Sequence, residues 1–292
     1  MTYRKRFLPA LAGAVLTAIL AQAACADTAA PALVVCADPA NLPYSNDRQE
    51  GFENKIAQLL ADDMHVELRY FWFAQHKSFF RRTLLDGQCD VVISVPEGLS
   101  IVATTKPYFT SSYVAVTRAN DSRHFASFDD PWLRDARIGL QLVGKEGATT
   151  PPAVALSQRG INQHITAFEM WGAPDNPSPQ GKIVDAVADG SIDVALVWGP
   201  FAGYFAKPHG AALRIEPIIS DPQASGLQLV FPMAMGVRKA DTALRDRLQV
   251  AIERHASEIA AILHDYGIPT VAMPAPPAAS ASLPVSPQPI IH

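Results

Sequence analysis

One six-residue signature, Asp-Gly-x-x-Asp-Val, occurs twice in this chain and places the strongest limit on its fold. It covers residues 86–91 and 189–194, and each copy follows a helical pattern and leads into an apolar run. The glycine suits the end of a helix, and the second aspartate stands at the start of a buried strand. Two copies of one helix-to-strand junction predict two similar units of alternating strands and helices.

The predicted elements of both units follow from apolar runs and helical spacing. In the first unit we expect strands at 33–37, 66–73 and 90–95, with helices from Gly51 and at 77–86. In the second we expect strands at 137–143, 165–168 and 192–198, with helices from Thr150 and at 181–189. This alternation produces parallel sheets with helices on both faces.

Three further segments complete the predicted organisation. Residues 108–117 should carry the chain to the second unit, 231–237 should bring it back, and 244–266 should form one long helix. The predicted fold class is therefore α/β with two lobes, each a parallel-dominated sheet flanked by helices. Lobe 1 takes residues 27–115 and 232–270, and lobe 2 takes residues 116–231.

Both ends of the 292-residue chain are predicted to lie outside these lobes. Residues 1–26 combine a basic start, an apolar stretch and the cleavage motif Ala24-Cys25-Ala26, which indicates a secretory signal peptide and a periplasmic product. A lipoprotein modified at Cys25 is the alternative. Residues 271–292 are rich in Pro, Ala and Ser and are predicted to be a disordered tail.

The charge of the predicted mature chain bears on its partners. The first 26 residues hold three of the 24 basic residues and none of the 28 acidic ones, so the remainder carries a formal charge of about −7. An acidic surface argues against nucleic acid and anionic membranes as partners. No second apolar stretch approaches the roughly 20 residues of a membrane span.

Two cysteines, Cys36 and Cys89, remain after the predicted cleavage. An oxidising compartment and an even count favour a disulfide between them. Cys36 lies near the end of one predicted strand and Cys89 at the start of another, an offset that could exceed the roughly 7 Å limit between bridged Cα atoms. A bridge and a pair of buried thiols therefore both stay open.

Candidate ligand contacts lie where the predicted strands end, because ligands of such sheets bind at the carboxyl ends of the strands. The aspartates Asp90 and Asp193 stand at the opposite ends and are interpreted as structural. Thr150 suits a helix N-cap and Pro151 the first helical turn, which is either an anion site or an ordinary cap. The candidates for the cleft are Asp38, Asn41, Tyr44, Ser45, Ser94, Glu97, Thr149, Thr150 and Trp198.

Sequence patterns of known catalytic or metal sites are missing from the chain. The eight histidines are scattered without an HExxH or HxH pair, and neither a phosphate-binding GxxxxGK[ST] nor a GxSxG elbow occurs. We therefore predict no catalytic residue, no metal site and no resident cofactor.

Several landmarks of the chain resemble the type II periplasmic solute-binding proteins of ABC importers. They are Gly51-Phe52-Glu53, the two Asp-Gly-x-x-Asp signatures and Pro107-Tyr108-Phe109. A narrower set is similar to the solute-binding-like proteins associated with PQQ-dependent methanol and alcohol dehydrogenases, the MoxJ/XoxJ type. That set comprises residues 35–39 (VCADP), 41–43 (NLP), 45–46 (SN), 51–56 (GFENKI), 89–92 (CDVV), 103–108 (ATTKPY) and 150–152 (TPP).

This resemblance implies a two-lobed, Venus-flytrap-like protein that assists a periplasmic quinoprotein dehydrogenase in activation or assembly. The implied partners are the PQQ-dependent dehydrogenase and its cytochrome c, and PQQ itself is expected to belong to the partner enzyme. A small ligand in the cleft is compatible with this role.

One departure from the amino-acid-binding relatives argues in the same direction. Those relatives place an arginine after the third strand, where its planar fork grips the ligand carboxylate. Here residues 96–100 read PEGLS, and Glu97 would repel a carboxylate. Two alternatives remain: a solute receptor of an ABC importer, and a dehydratase on the same scaffold that uses Glu97 as its acid or base.

Overall fold

The computed structural model describes residues 31–142, 150–172, 178–224 and 226–272, and Pro31 onward forms one compact unit. The predicted signal peptide, the loop that contains Thr149 and residues 273–292 of the predicted tail lie outside the described residues. The strands are β1 Ala32–Ala37, β2 Ala40–Asn41, β3 Ser45–Asn46, β4 Glu67–Trp72, β5 Val91–Pro96, β6 Ala103–Thr104, β7 Phe109–Arg118, β8 Ile138–Leu142, β9 Ile165–Glu169, β10 Val194–Trp198, β11 Leu213–Ile218 and β12 Val230–Val237. The helices are α1 Phe52–Asp63, α2 Phe79–Arg82, α3 Pro151–Gln158, α4 Lys182–Ala188, α5 Gly199–Ala206, α6 Thr242–Arg254 and α7 Ala256–Asp265.

The first lobe is built on β4, β1, β5 and β12, in that order across the sheet. β1 runs parallel to both β4 and β5, and β12 returns antiparallel to β5. Helix α1 buries Phe52, Ile56 and Leu60 against this sheet and packs against α6 and α7 on its other side. The apolar spacing of α1 is that of an amphipathic helix, as predicted.

The second lobe is built on β10, β8 and β9, which are mutually parallel. β7 pairs antiparallel with β10, and β11 pairs antiparallel with β7. β7 connects the lobes, because residues 109–112 pair with β12 and residues 113–118 pair with β10 and β11. The predicted boundaries after residues 115 and 231 fall inside β7 and β12. Alternating strands and helices around parallel strands confirm the predicted α/β fold class.

Two predicted helices differ from the structure. The helix expected at 77–86 is the single turn α2, Phe79–Arg82, followed by turns. The helix expected at 244–266 is broken at His255, whose ψ of 24° leaves the helical path. The ring of His255 contacts Asp63 of α1 at 2.9 Å, so the break places α6 and α7 separately against α1.

The structure forms the disulfide between Cys36 and Cys89, with their Cα atoms 5.4 Å apart. The offset between the two strands does not prevent it, because β5 begins beside the last part of β1. Val35 pairs with Val91, and the amide of Asp90 donates to the carbonyl of Val34 at 2.7 Å. This stagger brings the end of one strand next to the start of the other.

Val271, the first residue of the predicted tail, is hydrogen-bonded to the fold. The amide of Val271 donates a hydrogen bond to the carbonyl of Thr110 in β7 at 3.0 Å. Within the part of the chain that the structure describes, no helix is both long and apolar enough to cross a membrane.

Candidate functional site

A cavity of about 190 Å³ lies between the two lobes, at the carboxyl ends of their parallel strands. Asp38 follows β1, Gln75 follows β4, Ser94 lies near the end of β5, Trp171 follows β9, and Trp198 ends β10. The full lining is Cys36, Ala37, Asp38, Tyr44, Ser45, Glu53, Gln75, Phe79, Val92, Ser94, Pro96, Met170, Trp171, Trp198, Phe201 and Met233. We refer to it below as the interlobe cavity.

Asp38 is held at the end of β1 by backbone donors. Its Oδ1 accepts from the amide of Ala40 at 2.8 Å and its Oδ2 from the amide of Gln75 at 2.5 Å. Ser45 donates from its hydroxyl to the Asp38 carbonyl at 2.8 Å. Burial raises the pKa of Asp38, and the two amides and the charge of His76 oppose that shift.

Glu53 enters the cavity from the first turn of α1. The amides of Phe52 and Glu53 donate to the carbonyls of Pro43 and Tyr44 at 2.8 and 2.9 Å, which fixes the start of the helix. Gly51 permits this close approach, since a Cβ there would lie 2.0 Å from the carbonyl oxygen of Tyr44. The side chain of Glu53 is therefore delivered to the cavity by backbone packing.

The pKa of Glu53 is raised to about 7, chiefly because the carboxyl is buried. Hydrogen bonds from Ser94 lower it and the negative charge of Asp38 raises it further. Ser94 also shares a 2.9 Å hydrogen bond with the hydroxyl of Tyr108, which donates in turn to the carbonyl of Ile93 at 3.1 Å. Near neutral pH, Glu53 is thus poised between its charged and neutral forms.

The second lobe closes the cavity with aromatic and apolar side chains. The indole Nε1 of Trp198 donates to the hydroxyl of Tyr44, and the amide of Trp198 donates to the side chain of Gln141 at 2.9 Å. Burial raises the pKa of Tyr44, so its hydroxyl stays neutral and accepts this bond. The hydrogen bond joins one lobe to the other across the cavity.

A second contact between the lobes lies beside Trp171. Gly172 packs so closely against the first lobe that a Cβ would lie 2.0 Å from the carbonyl oxygen of Ala40. Gln180 donates from Nε2 to the same carbonyl at 3.3 Å. These contacts hold Trp171 over the cavity.

The charges around the cavity are unbalanced. Two of its lining residues are carboxylic acids, Asp38 and Glu53, and no lysine, arginine or histidine is found among the lining residues that the structure describes. No group of three or more His, Cys, Asp or Glu side chains in the described ranges is placed to hold a metal ion. The site suits a small ligand of mixed apolar and cationic character better than an anion.

The structure brings five of the predicted cleft residues together in the cavity lining, namely Asp38, Tyr44, Ser45, Ser94 and Trp198. Asn41 is buried just behind the lining, where its Nδ2 donates to the side chain of Gln75 at 3.0 Å. Thr149 lies outside the described residues.

Two further predicted residues lie elsewhere. Thr150 precedes α3 as its N-cap residue, but it is not part of the cavity lining, and its buried hydroxyl has no hydrogen-bond partner among the described residues. Glu97 is exposed outside the cavity, because β5 ends at Pro96 and a turn closed by the amide of Leu99 leads the chain away. Glu97 is therefore not among the residues that line the interlobe cavity.

Glu53 is the acidic residue that sequence reasoning missed. It was singled out as a landmark, but the first turn of a helix was not treated as part of the cleft. Gln75, Trp171, Phe79, Met170 and Met233 also line the cavity and were not among the predicted ligand contacts. For two of these residues the sequence did contain a signal, since Gln75 and Trp171 each follow the carboxyl end of a predicted strand.

The two signature aspartates lie at the opposite ends of the strands, as predicted. Asp90 accepts from the amide of Val34 and pairs with Arg238 at 3.1 Å. Asp193 pairs with Arg137 at 2.8 Å and lies 3.3 Å from Arg118, and these contacts lower its pKa. Both aspartates connect elements within a lobe.

Comparison with known proteins places the chain among binding proteins. Residues 33–267 match the family model described as bacterial extracellular solute-binding proteins, family 3. Protein MoxJ of Methylorubrum extorquens is 32% identical over 240 residues, which cover 78% of this chain and 78% of that protein. Protein MoxJ of Paracoccus denitrificans is 31% identical over 268 residues, covering 86% of this chain and 92% of that protein.

Solved structures of binding proteins are also similar to this chain. The periplasmic binding protein XoxJ from Methylobacterium extorquens AM1 is 33% identical, and the match covers 82% of this chain and 100% of that one with a TM-score of 0.67. MxaJ from Methlophaga aminisulfidivorans MPT is 30% identical with the same coverage and a TM-score of 0.70. An ancestral amino acid-binding protein, a precursor of cyclohexadienyl dehydratase, is 19% identical at a TM-score of 0.56 and shares the fold alone.

Proposed function

The chain belongs to the bacterial extracellular solute-binding proteins, family 3, and on that premise we propose that it assists a PQQ-dependent methanol or alcohol dehydrogenase. In this proposal it is a non-catalytic periplasmic protein that acts in activation or assembly of the enzyme. Its partners are the dehydrogenase and the cytochrome c that accepts electrons from it. Transport of an amino acid is not its task.

The observation that carries the proposal is the anionic lining of the interlobe cavity. An amino acid presents a carboxylate as well as an ammonium group. The ammonium group could pair with Asp38 or Glu53, but the carboxylate would be a third negative group with no guanidinium to pair with it among the described lining residues. A buried charge without a partner costs several kcal/mol, on the order of a whole binding energy. The relatives that are at least 30% identical and match over most of their length are named MoxJ, XoxJ and MxaJ rather than after a transported solute.

In this proposal PQQ is carried by the dehydrogenase. The quinone bears several carboxylates, and the interlobe cavity offers about 190 Å³ with two carboxyl groups in its lining. Both size and charge oppose its entry. We therefore expect this chain to act on the enzyme through its surface and its state of closure, and not as a store of the cofactor.

The test is association and recovery of activity. Mature protein is mixed at micromolar concentration with the PQQ-dependent dehydrogenase purified from a strain that lacks this chain, followed by size-exclusion chromatography and dye-linked turnover. We expect co-elution and a gain in turnover. An amino-acid-binding member of the same family serves as the matched control, and equal behaviour of that control, or no co-elution, contradicts the proposal.

An importer receptor is the second candidate, because the interlobe cavity is enclosed by contacts from both lobes. A receptor requires a ligand that closes the lobes, so X-ray scattering should show compaction when the ligand is added. Scattering profiles that stay unchanged across a panel of solutes would argue against it.

A dehydratase would need a different residue from the one that the sequence suggested. Glu97 lies outside the cavity, whereas Glu53 lines it and has a pKa near neutrality. Turnover of a cyclohexadienyl substrate that disappears in Glu53→Gln and persists in Glu97→Gln would support an enzyme. Absence of turnover in the wild-type chain supports the non-catalytic proposal.

A further inference from the structure

The interlobe cavity holds two buried acids that the proposed accessory role does not use. Asp38 has 4% and Glu53 9% of its surface exposed, and both contribute to the lining. Their hydrogen-bond donors are neutral: two backbone amides on Asp38, and Ser94 on Glu53. Amides and a hydroxyl orient a carboxylate, but they do not cancel its charge.

Elsewhere in the same molecule, buried acids are matched with cations. Asp221 has a side chain that is 1% exposed, and it pairs with Arg159 at 2.7 Å. The contrast is informative because an isolated buried carboxylate is costly to the fold. A fold that pairs Asp221 with an arginine and leaves Asp38 and Glu53 facing a cavity offers a site for a cation.

Aromatic residues share the lining of the same cavity with these acids. Trp171 and Trp198 come from the second lobe, and Tyr44 and Phe79 from the first. Faces of tryptophan, tyrosine and phenylalanine attract organic cations, and sites for quaternary ammonium groups are built from them. Met170 and Met233 add adaptable apolar surface around the same space.

The size of the cavity limits the ligand to a few heavy atoms. Its volume is about 190 Å³, whereas pockets for drug-sized ligands occupy roughly 300–1,000 Å³. A small apolar body with one positive charge fits the lining, while a sugar would leave its hydroxyl groups against aromatic and methionine side chains.

We propose that the interlobe cavity binds a small alkylammonium ion, whose charge lies between Asp38 and Glu53 and whose alkyl groups contact Trp171 and Trp198. The ligand also bridges the lobes, since the acids belong to the first lobe and the tryptophans to the second. This inference goes beyond the proposed accessory role and does not depend on it, because binding is measured without a dehydrogenase.

Protonation of Glu53 provides a second test of the proposal, through the pH dependence of ligand binding. The pKa of Glu53 is raised to about 7 by burial, so lowering the pH through neutrality neutralises it and weakens the hold on a cation. The groups that face Glu53 from neighbouring elements are Asp38, Tyr44, Tyr70 and Tyr108, and His76 acts on Asp38. The pKa values of the three tyrosines are raised, so these tyrosines stay neutral across this range.

The experiment is calorimetric titration of the mature chain at pH 8 with isobutylammonium and choline. Isobutanol serves as the neutral probe of the same shape and isobutyrate as the anionic one. We expect one of the ammonium ions to bind at least about tenfold more tightly than isobutanol, which corresponds to about 1.4 kcal/mol. Isobutyrate should give no heat.

Variants then test the acids. Glu53→Gln is expected to weaken ammonium binding about tenfold, as is Asp38→Asn, while Glu97→Gln makes the same substitution on an exposed glutamate and should change nothing. Wild-type affinity should fall about fivefold from pH 8 to pH 6, since a carboxyl of pKa 7 is then about nine-tenths protonated and the protonated form keeps about a tenth of the affinity. Glu53→Gln should show no such fall.

Three results would overturn the proposal. They are the absence of binding by both ammonium ions at millimolar concentration, equal binding of isobutanol, and an unchanged affinity in Glu53→Gln. Circular dichroism and a thermal melt of each variant show that it is folded. If Asp38→Asn fails to fold, the outcome for Glu53→Gln decides, because its carboxyl accepts from Ser94 alone among the donors described above.

Discussion

Carboxylates at the two edges of the parallel sheets, where the strands begin and where they end, have opposite surroundings. At the amino ends, Asp90 and Asp193 pair with Arg238 and Arg137, and the pKa of Asp193 is lowered. At the carboxyl ends, Asp38 and Glu53 face the interlobe cavity, and their pKa values are raised. A paired acid contributes to stability, and an acid left facing a cavity detracts from it, which is why we propose a ligand-binding role for the second pair and not for the first.

The disulfide connects these two regions, since Cys36 lies two residues before Asp38 and Cys89 one residue before Asp90. Removing it should have the largest effect on stability. We expect reduction to lower the free energy of unfolding by about 4 kcal/mol, because the open chain gains conformational freedom. Urea unfolding with and without dithiothreitol measures this, and a Cys36→Ser/Cys89→Ser variant should not respond to the reductant. Coincident curves for oxidised and reduced wild type would show that the bridge does not form.

The second largest loss of stability is expected when a paired aspartate is removed. Asp193→Ala leaves Arg137 and Arg118 without their carboxylate and should cost about 3 kcal/mol at pH 7. Because the folded-state pKa of Asp193 is lowered, its contribution is present above about pH 4 and is lost as the pH falls through the folded-state pKa. Urea unfolding at pH 7 and pH 3 checks this. Asp189→Ala changes the exposed aspartate of the same signature, and an equal loss there would contradict the assignment.

Removing the charge of Glu53 from the cavity should raise the free energy of unfolding, whereas removing Asp193 should lower it. The raised pKa of Glu53 means that its proton is bound more tightly in the folded chain, so wild-type stability falls as the pH rises from about 4.3 to about 7. Glu53→Gln lacks this penalty, and its free energy of unfolding should exceed that of the wild type by about 2 kcal/mol at pH 8. The difference should shrink below pH 5, and a variant less stable at pH 8 would refute the assignment.

The hydrogen bond between the lobes should contribute less. Trp198→Phe leaves the buried hydroxyl of Tyr44 without its donor and should cost about 1 kcal/mol beyond the change in ring size. Trp132→Phe is the matched control, because the buried indole nitrogen of Trp132 has no hydrogen-bond partner among the described residues. Thermal unfolding compares the two, and equal shifts would mean that the Tyr44 contact contributes nothing.

The smallest effect on stability is expected at Glu97, the predicted cleft residue that lies outside the cavity. Glu97 is exposed, so Glu97→Gln should change the free energy of unfolding by less than about 0.5 kcal/mol at any pH between 5 and 8. Urea unfolding at those two pH values measures it. A pH-dependent change like that of Glu53→Gln would place a functional acid at Glu97 after all.

Much of the fold was predictable because its elements are locally consistent. The β1, β4, β5, β8, β9 and β10 strands and the start of α1 follow from apolar runs and helical spacing, and the two signatures mark matching junctions. The break at His255 was not predictable, since the apolar pattern of 244–266 continues through it and the contact with Asp63 is made by a distant helix. Strand β11 and helix α5 were also missed.

The position of the cavity at the strand ends was predictable from the sequence, but only some of the side chains that line it were. Of the side chains predicted from strand ends, Asp38, Tyr44, Ser45, Ser94 and Trp198 line the cavity. Glu97 does not, because a sequence does not show in which direction a turn leaves the sheet. Glu53 was missed because its approach depends on Gly51 packing under the carbonyl of Tyr44.

The amino-acid sequence by itself predicted the α/β alternation and the two lobes, and its resemblance to known motifs pointed to the binding-protein family. These features depend on local spacing and on which residue types are present. Only the tertiary structure decided that Cys36 meets Cys89, that Glu53 and Asp38 share one cavity, and that Trp198 reaches Tyr44. Those outcomes depend on strand stagger and on contacts between distant segments, and no local pattern encodes the distances that separate such atoms.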